Sequence, residues 1–362
     1  MIHELLPAEY PRIRPIVVGL ADHLSIQAVI DGTVSGQIWV DNVPMPRTTF
    51  ILTPEGQYLA GTTANLAFNQ ALADLLLHRP SVSLTYYPDI WELTFAALLA
   101  CKFARKYSRR YFTFRQFLVP NWRGLVPPGY EMAQVLPRFL ARKDLVNLDE
   151  VRERTTEWTD FARDGFGFCL VHGNTIVSHC IADCVSGDAC ELGIATHNDY
   201  RRRGLGTLTL AATVEYCLDH HLPAIGWHCI ANNHGSQRVA EKVGFGLARE
   251  YVQYANSPVA ENPDDLAPAE WQAEAEFFEH AFGILSQHGA YMAWRAALAR
   301  AVAGEHGEAL ILLHRAADSG ALPPGWDAWL QESWELQSLR TDPDWPALLA
   351  RAQARRPTEA EE

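Results

Sequence analysis

Residues 201–207 read Arg-Arg-Arg-Gly-Leu-Gly-Thr and stand between a strand-like stretch, Glu191–Thr196, and a helical one, Leu205–His220. A glycine-rich turn in that place converges backbone amides on one point in front of a helix N-terminus, a geometry that holds a pyrophosphate. Gly204 and Gly206 let a ligand approach the main chain, and the helix dipole contributes about half a positive charge. Arg201, Arg202 and Arg203 add cationic charge at the rim. Glycines at helix starts with basic neighbours are common in proteins at large, so the surrounding order of elements has to decide what this turn is for.

That order alternates. Helical patterns near Leu136–Arg142 and Leu148–Phe161 precede strands Phe166–Val171 and Ile176–Val185, which are joined by a hairpin-like turn at His172-Gly173-Asn174. A strand Glu191–Thr196, the helix Leu205–His220, a strand Ala224–Ile230, a helix Ser236–Val243 and a strand Leu247–Tyr254 follow. Two antiparallel strands therefore lead into a β-α-β-α-β run. After the strand that ends in Ile230 comes Asn233-His234-Gly235-Ser236, then a short helix closed by Gly244-Phe245.

The two motifs together resemble the GNAT superfamily of N-acetyltransferases, in which an Arg/Gln-x-x-Gly-x-Gly/Ala loop is followed by an Asn-x-x-Ala/Ser segment, a short helix and a Gly-Phe turn. The phrases Glu191-Leu192-Gly193-Ile194-Ala195-Thr196 and Trp227-His228-Cys229 through Phe245 look like a bacterial GNAT acetyltransferase subgroup. The resemblance is firm over about a third of the chain and fainter before residue 126, where Gly19 to Asp41 also looks like that subgroup's leading region. It implies a mixed, mostly antiparallel α/β sheet flanked by helices and a reaction with acetyl-CoA as acyl donor. Amides of Arg202 to Thr207, including Leu205, would hold the coenzyme A pyrophosphate. The strand backbone at Ile194, Ala195 and Thr196 would pair with the pantetheine arm, Asn233 and Ser236 would lie across from it, and the two strands would splay to admit it.

An amine nucleophile must be neutral to attack a thioester, whereas a lysine-type ammonium has a pKa of ~10.4. The resemblance places a carboxylate at Glu191, as base directly or through water, and a backbone amide near Ala195 to steady the oxyanion. Where many GNAT enzymes keep a tyrosine as the acid, this chain has Ala240. Tyr251 and Tyr254 are the nearby replacements by sequence. Acetyl transfer to a primary amine, on a small molecule or a protein, is the leading function. The alternative is a non-catalytic acetyl-CoA sensor whose helical C-terminal region binds a protein partner.

The chain has 362 residues, more than one ordinary core accommodates. The expected division is an α/β unit at 1–125, a GNAT domain at 126–257, a linker at 258–269 carrying Pro258, Pro263, Asp264 and Asp265, a helical domain at 270–356, and a disordered tail at 357–362. The first unit opens with a meander of strands from Ile26 to Leu59. It continues with a helix 64–78, a strand Ser81–Tyr86, a helix Ile90–Phe103 and a strand Tyr111–Val119. That run parallels 205–254, so the first unit reads as a degenerate GNAT copy without the phosphate turn, or as generic α/β alternation. The second unit lacks a closing strand, and its edge is expected to be covered by residues 1–125. In the helical domain, Ala297, Gly304, Ala309 and Ala316 match the small-residue spacing of a tetratricopeptide-like hairpin, or of a plain helical hairpin.

A net charge of −13 disfavours nucleic acid and anionic membrane as partners and favours a cationic acceptor. The local basic run Lys102, Arg105, Lys106, Arg109, Arg110, Arg115 and Arg123 reads as a solvated face. Seven cysteines, an odd number, and a start without a secretory pattern predict a reduced, cytoplasmic, soluble protein. Cys180, Cys184 and Cys190 with His172, His179 and His197 lack zinc-ligand spacing, so no metal is expected.

Overall fold

The computed structural model describes residues 1–79, 81–100, 102–256, 260, 265–284, 289–318 and 326–353. They fall into two compact units, residues 1–76, 83–99 and 106–254 in the first, and residues 77–82, 100–105 and those from 255 onward in the second.

The first unit is organised by a 12-stranded sheet. Its strands are β1 (His3–Glu4), β2 (Gln37–Val40), β3 (Thr48–Thr53), β4 (Gly56–Gly61), β5 (Ser83–Tyr87), β6 (Arg105–Phe114), β7 (Tyr130–Gln134), β8 (Gly167–His172), β9 (Thr175–Ser186), β10 (Ala189–Thr196), β11 (Ala224–Ile230) and β12 (Phe245–Ala255). Their order is β1-β2-β3-β4-β5-β12-β6-β11-β10-β9-β8-β7. On either side of the central pair the order mirrors itself, and each half of the chain places its last strand beside the other half. β6 lies between β12 and β11, and β12 lies between β5 and β6. The edge left without a closing strand is thus filled by the first half of the chain.

Each half also contains a parallel pairing. β4 pairs with β5 and β10 with β11 in parallel, across the crossover helices Leu66–Leu77 and Leu205–Asp219 that such a pairing requires. The halves therefore share the first helix and strand of the sequence parallel, Leu66–Leu77 with β5 against Leu205–Asp219 with β11.

Three expectations are corrected. The meander does not begin at Ile26, because Leu24–Asp31 is a helix that ends on Gly32 in the left-handed region, φ +76°. Ile26, Val29 and Ile30 lie at i, i+3, i+4 and are all buried, so helical periodicity wins over their β-branched character. The helix expected at Ile90–Phe103 is instead a 3₁₀ segment Asp89–Thr94 and one α-turn Phe95–Leu98, and Phe103 has φ +50°. The strand expected from Tyr111 starts at Arg105 and ends at Phe114. Beyond it, the amides of Arg115 and Gln116 donate to Gly244 O at 3.0 and 3.3 Å, and Leu118 N donates to Val243 O at 3.1 Å.

The basic run is a solvated face only in part, since Lys106, Arg115 and Arg123 are exposed, Arg105, Arg109 and Arg110 half-buried and Lys102 buried. Lys106 pairs with Glu92 at 2.9 Å, Arg110 with Glu250 at 2.8 Å and Arg123 with Glu215 at 2.5 Å. Lys102, in the second unit, is 2% exposed and donates to the carbonyls of Leu77 and Arg79. Hydrogen bonds to carbonyl oxygens offset the cost of burying its ammonium.

From Pro268 on, the described residues of the second unit are mostly helical. Its helices Pro268–Ile284, Gly289–Val302, His306–Asp318, Trp326–Glu332 and Trp345–Gln353 share a core in which Ala297, Ala309 and Ala316 are fully buried. Gly304, φ +84°, turns the chain between the second and third, so the small residues stand where two helices of a hairpin touch. Residues 258, 259 and 261–264 of the expected linker and the tail 357–362 lie outside the described residues. No helix among the described residues is long and apolar enough to cross a membrane.

Gly244 joins the two halves under tight constraint. Its φ is +120°, and a Cβ there would stand 1.6 Å from Gln116 O. Gly244→Ala is expected to destabilise the first unit by about 3 kcal/mol or more, at the upper end of single-residue effects. A urea midpoint unchanged from the parent would contradict this.

Candidate active site

β10 and β11 stay paired for only three residues, Ala189↔Ala224, Cys190↔Ile225 and Glu191↔Gly226. Past that point β10 follows β9 to Thr196↔Ser178, and β11 follows β6 from Gly226↔Thr113 to Ile230↔Arg109. Two ladders pull the strands apart. Parting coincides with a register shift in the β9–β10 pair, where Glu191 faces Cys184 but Leu192 faces Ala182, leaving Asp183 as the extra residue. A bulge of this kind bends a strand and re-aims a side chain. In the first half, β4 and β5 are zipped over Gln57↔Leu84 to Ala60↔Tyr87 and form no such wedge.

The wedge between Leu192–Thr196 and Trp227–Ile230 opens toward the glycine-rich turn. Arg202 has φ +59° and Gly204 φ +79°, and Gly204 enters the helix Leu205–Asp219 as an N-cap without a side-chain cap hydrogen bond. The amides of the first helical turn have no intrahelical acceptor and remain available to an anion. Nothing lies within 4 Å of where a Cβ on Gly204 would stand, so space in front of the turn is open. Arg201 Nε donates to Thr196 O at 3.0 Å, tying the turn to the end of β10, and Arg203 donates to Asp199 O at 2.7 Å. Gly206 packs on β10, since a Cβ would meet Thr196 Oγ1 at 3.0 Å and Ile194 Cδ1 at 3.4 Å.

Across the wedge, Asn233 caps the helix His234–Val243, its Oδ1 accepting from Ser236 N at 2.9 Å. Ser236 Oγ accepts from Trp227 Nε1 at 3.0 Å. Ala240 is fully buried and offers no hydroxyl.

Glu191 sits at the apex and is 5% exposed. Its Oε1 accepts from Leu24 N at 2.8 Å, the first amide of the helix Leu24–Asp31, and stands 3.3 Å from His228 Nε2. That nitrogen also lies 3.0 Å from Asp22 O, which makes it the protonated one, so Nδ1 accepts from Tyr251 O–H at 3.1 Å. Glu191, His228 and Tyr251 thus form one hydrogen-bonded chain. Tyr111 and His23 stack on the His228 ring at centroid distances of 4.5 and 5.0 Å. Burial pushes the Tyr251 and Tyr111 phenols up to about 12 and lowers His23 well below the usual histidine range. Gly226 makes room for this packing, since a Cβ would stand 3.1 Å from Glu191 Cγ and 3.3 Å from the Tyr111 ring.

Tyr254 is not part of this group. Three residues beyond Tyr251 on β12, it packs on Tyr86 and Phe95. His228, His23 and Tyr111 escape sequence reasoning because their partners are distant in the chain. Only the place of His228 beside Trp227 in a strand facing the phosphate turn could have drawn attention to it.

Beside Ala195 a cleft of about 440 Å³ opens, with His179 and Asp183 of β9 among its walls. Asp183 is paired with Arg154 at 2.7 Å, and both lie over Gly193, where a Cβ would stand 2.5 Å from the guanidinium and the carboxylate. Among the described residues no group of three or more His, Cys, Asp or Glu side chains is placed to hold a metal ion. Cys169, Cys180, Cys184, Cys190, Cys217 and Cys229 are buried thiols outside any disulfide.

A profile of GNAT acetyltransferases matches residues 14–254, two thirds of the chain. The chain belongs to the GNAT acetyltransferase family. It is an acyltransferase by that membership. It is 23% identical over 259 residues to the uncharacterized N-acetyltransferase YdfB of Bacillus subtilis (strain 168), covering 70% of this chain and 98% of that one. A GCN5-related N-acetyltransferase-like protein from Streptococcus suis 89/1591 has the same fold, with a TM-score of 0.55 and 20% identity over 68% of this chain and 98% of that one. A tandem GNAT protein from the clavulanic acid biosynthesis pathway aligns over 72% of this chain and 99% of its own at 14% identity and a TM-score of 0.48.

His179 is 4% exposed, and burial followed by the Arg154 charge lowers its pKa to about 3. A folded-state value below the ordinary 6.5 means the ring stays neutral as pH falls and protonates only near the lower value. Nitrogen chemical shifts of His179 are expected to stay constant between pH 8 and about pH 4; a titration midpoint near 6.5 would contradict this.

Proposed function

We propose that the chain transfers an acetyl group from acetyl-CoA to a primary amine by direct attack on the thioester, at one site carried by residues 126–257. The observation that supports this most is the parting of β10 and β11 immediately after Glu191↔Gly226, in front of a helix whose first-turn amides, Leu205 to Thr207, have no intrahelical acceptor. Residues 1–125 provide support rather than a second site, because β4 and β5 remain zipped.

Acetyl-CoA supplies the acyl group as a thioester. Amides of Arg202, Arg203, Gly204, Leu205, Gly206 and Thr207 hold its diphosphate, with Arg201 bracing the turn against β10. Along Ile194, Ala195 and Thr196 the carbonyls of Ala195 and Thr196 already accept from Ser178 Oγ and Arg201 Nε, so the backbone groups that remain on the side β11 has left are the ones to pair with the amides of the pantetheine arm, as an added strand would. Asn233 and Ser236 form the opposite wall.

Glu191 accepts the amine's proton, directly or through a water. Its Oε1 is held by Leu24 N and His228, so Oε2, beside the Cys184 thiol at 3.8 Å, is the oxygen that receives it. His228 is a positioning residue that links Glu191 to Tyr251. A departing thiolate has a pKa near ~8.5, so a hydrogen bond from a donor that stays protonated suffices to steady it. Turning its one O–H from His228 Nδ1 to the sulfur, the Tyr251 phenol, kept protonated by burial, is such a donor and takes the place of the hydroxyl missing at Ala240.

Calorimetry and turnover of two variants test this reading. Gly204→Asp sets a carboxylate against the diphosphate and is expected to weaken coenzyme A binding by roughly 10²-fold, about 2.7 kcal/mol. Glu191→Gln is expected to keep that affinity and lower kcat by ~10²-fold or more. Unchanged affinity in the first would remove the phosphate site, and unchanged kcat in the second would remove the base.

A further inference from the structure

The cleft beside Ala195 carries more charge of one sign than packing requires. Its walls hold Glu55 from the β3–β4 turn, Glu150, Glu153 and Glu157 from the helix Leu148–Thr156 and its C-cap, and Asp183 from β9. Positions 150, 153 and 157 follow the i, i+3, i+7 pattern of one helix face. The cation in the lining is Arg154, already bonded to Asp183. The carboxylates are graded by depth, with Glu150, Glu153 and Glu157 exposed at the mouth and Asp183 half-buried below.

At depth stands His179, whose buried Nε2 has no hydrogen-bond partner. A buried imidazole nitrogen without a partner costs free energy unless something in the cleft bonds to it. A neutral ring offers a lone pair to an N–H donor, and His179 lies opposite Ala195 in the β9–β10 register. The cleft therefore has an acceptor for an amine at its floor and fixed negative charge above it. Its volume of about 440 Å³ lies within the ~300–1,000 Å³ range of small-molecule sites.

We propose that this cleft takes the acceptor, and that the acceptor is a linear amine with two or more positive charges, its reacting nitrogen near Ala195 and His179 and a second ammonium among Glu150, Glu153 and Glu157. The assignment deepens the transferase reading and rests on it for the direction in which the reacting nitrogen points. Crowding of the carboxylates agrees with it. Burial and the Glu191 charge raise Glu55, although solvent reaches it through the cleft, and burial and the Glu55 charge raise Asp183 well above the usual carboxylate range. A bound polycation relieves that repulsion.

The test uses the full chain with spermidine and n-butylamine as probes, measured by calorimetry without coenzyme and by kcat/KM with acetyl-CoA. Spermidine is expected to bind about tenfold or more tightly than n-butylamine. The double variant Glu153→Gln/Glu157→Gln, checked for an unchanged circular dichroism spectrum, should lose most of that preference in both Kd and KM while coenzyme A binding is retained. Equal affinity for the two amines, or a preference untouched by the double variant, overturns the proposal. Spermidine binding with these properties but no acetylated product keeps the cleft assignment and sinks the transferase reading. Equal acetylation of both amines does the reverse.

Discussion

A strand edge left open inside an otherwise continuous sheet is the constraint on which the rest of this molecule depends. Backbone N–H and C=O groups away from water need partners, and β10 beyond Glu191 has one ladder where a central strand normally has two. The bulge at Asp183 creates this condition by bending the β9–β10 pair where β11 leaves to follow β6. One extra residue thus accounts for three features together. It ends the parallel pairing, places Glu191 at the apex of the wedge, and turns the Asp183 carboxylate into the cleft beside Ala195.

The first half of the chain completes the site without repeating it. It fills the sheet with β6, whose Tyr111 stacks on His228, and its helix Leu24–Asp31 turns an N-terminal amide toward Glu191. His23 and Glu55 come from the same half. Zipping of β4 onto β5 removes the wedge from that half and leaves it free to serve as scaffold. The exchanged positions of β6 and β12 also protect both edges that the parallel pairs would otherwise expose.

Legibility in the sequence followed the range of the interactions. The phosphate turn is local, so Gly204, Gly206 and the helix they open could be read from seven consecutive residues. The strand Ala224–Ile230 was bounded by its own apolar run, and its limits agree with the structure. By contrast, Leu24–Asp31 packs largely on β9 and β10, which come from the other half of the chain, and Ile26, Val29 and Ile30 looked like strand residues until that surface was present. The ion pairs of the basic run from Lys102 to Arg123 could not be read from it because partners such as Glu215 and Glu250 are remote in sequence. His228 and Tyr251 were separated by the same distance problem, since one hydrogen bond between two strands with a third between them leaves no periodic trace. The family resemblance supplied the position of Glu191, and local chemistry alone would have left it an ordinary strand glutamate.

Residue-resolved amide hydrogen exchange with and without coenzyme A tests the open edge most directly. The account predicts that the ligand slows exchange at Leu192–Thr196 and at Leu205–Thr207 while Gln57–Ala60 of the zipped half is unaffected. Exchange at β10 and at the turn that is already slow in the free protein, or that stays the same when coenzyme A is added, would contradict it.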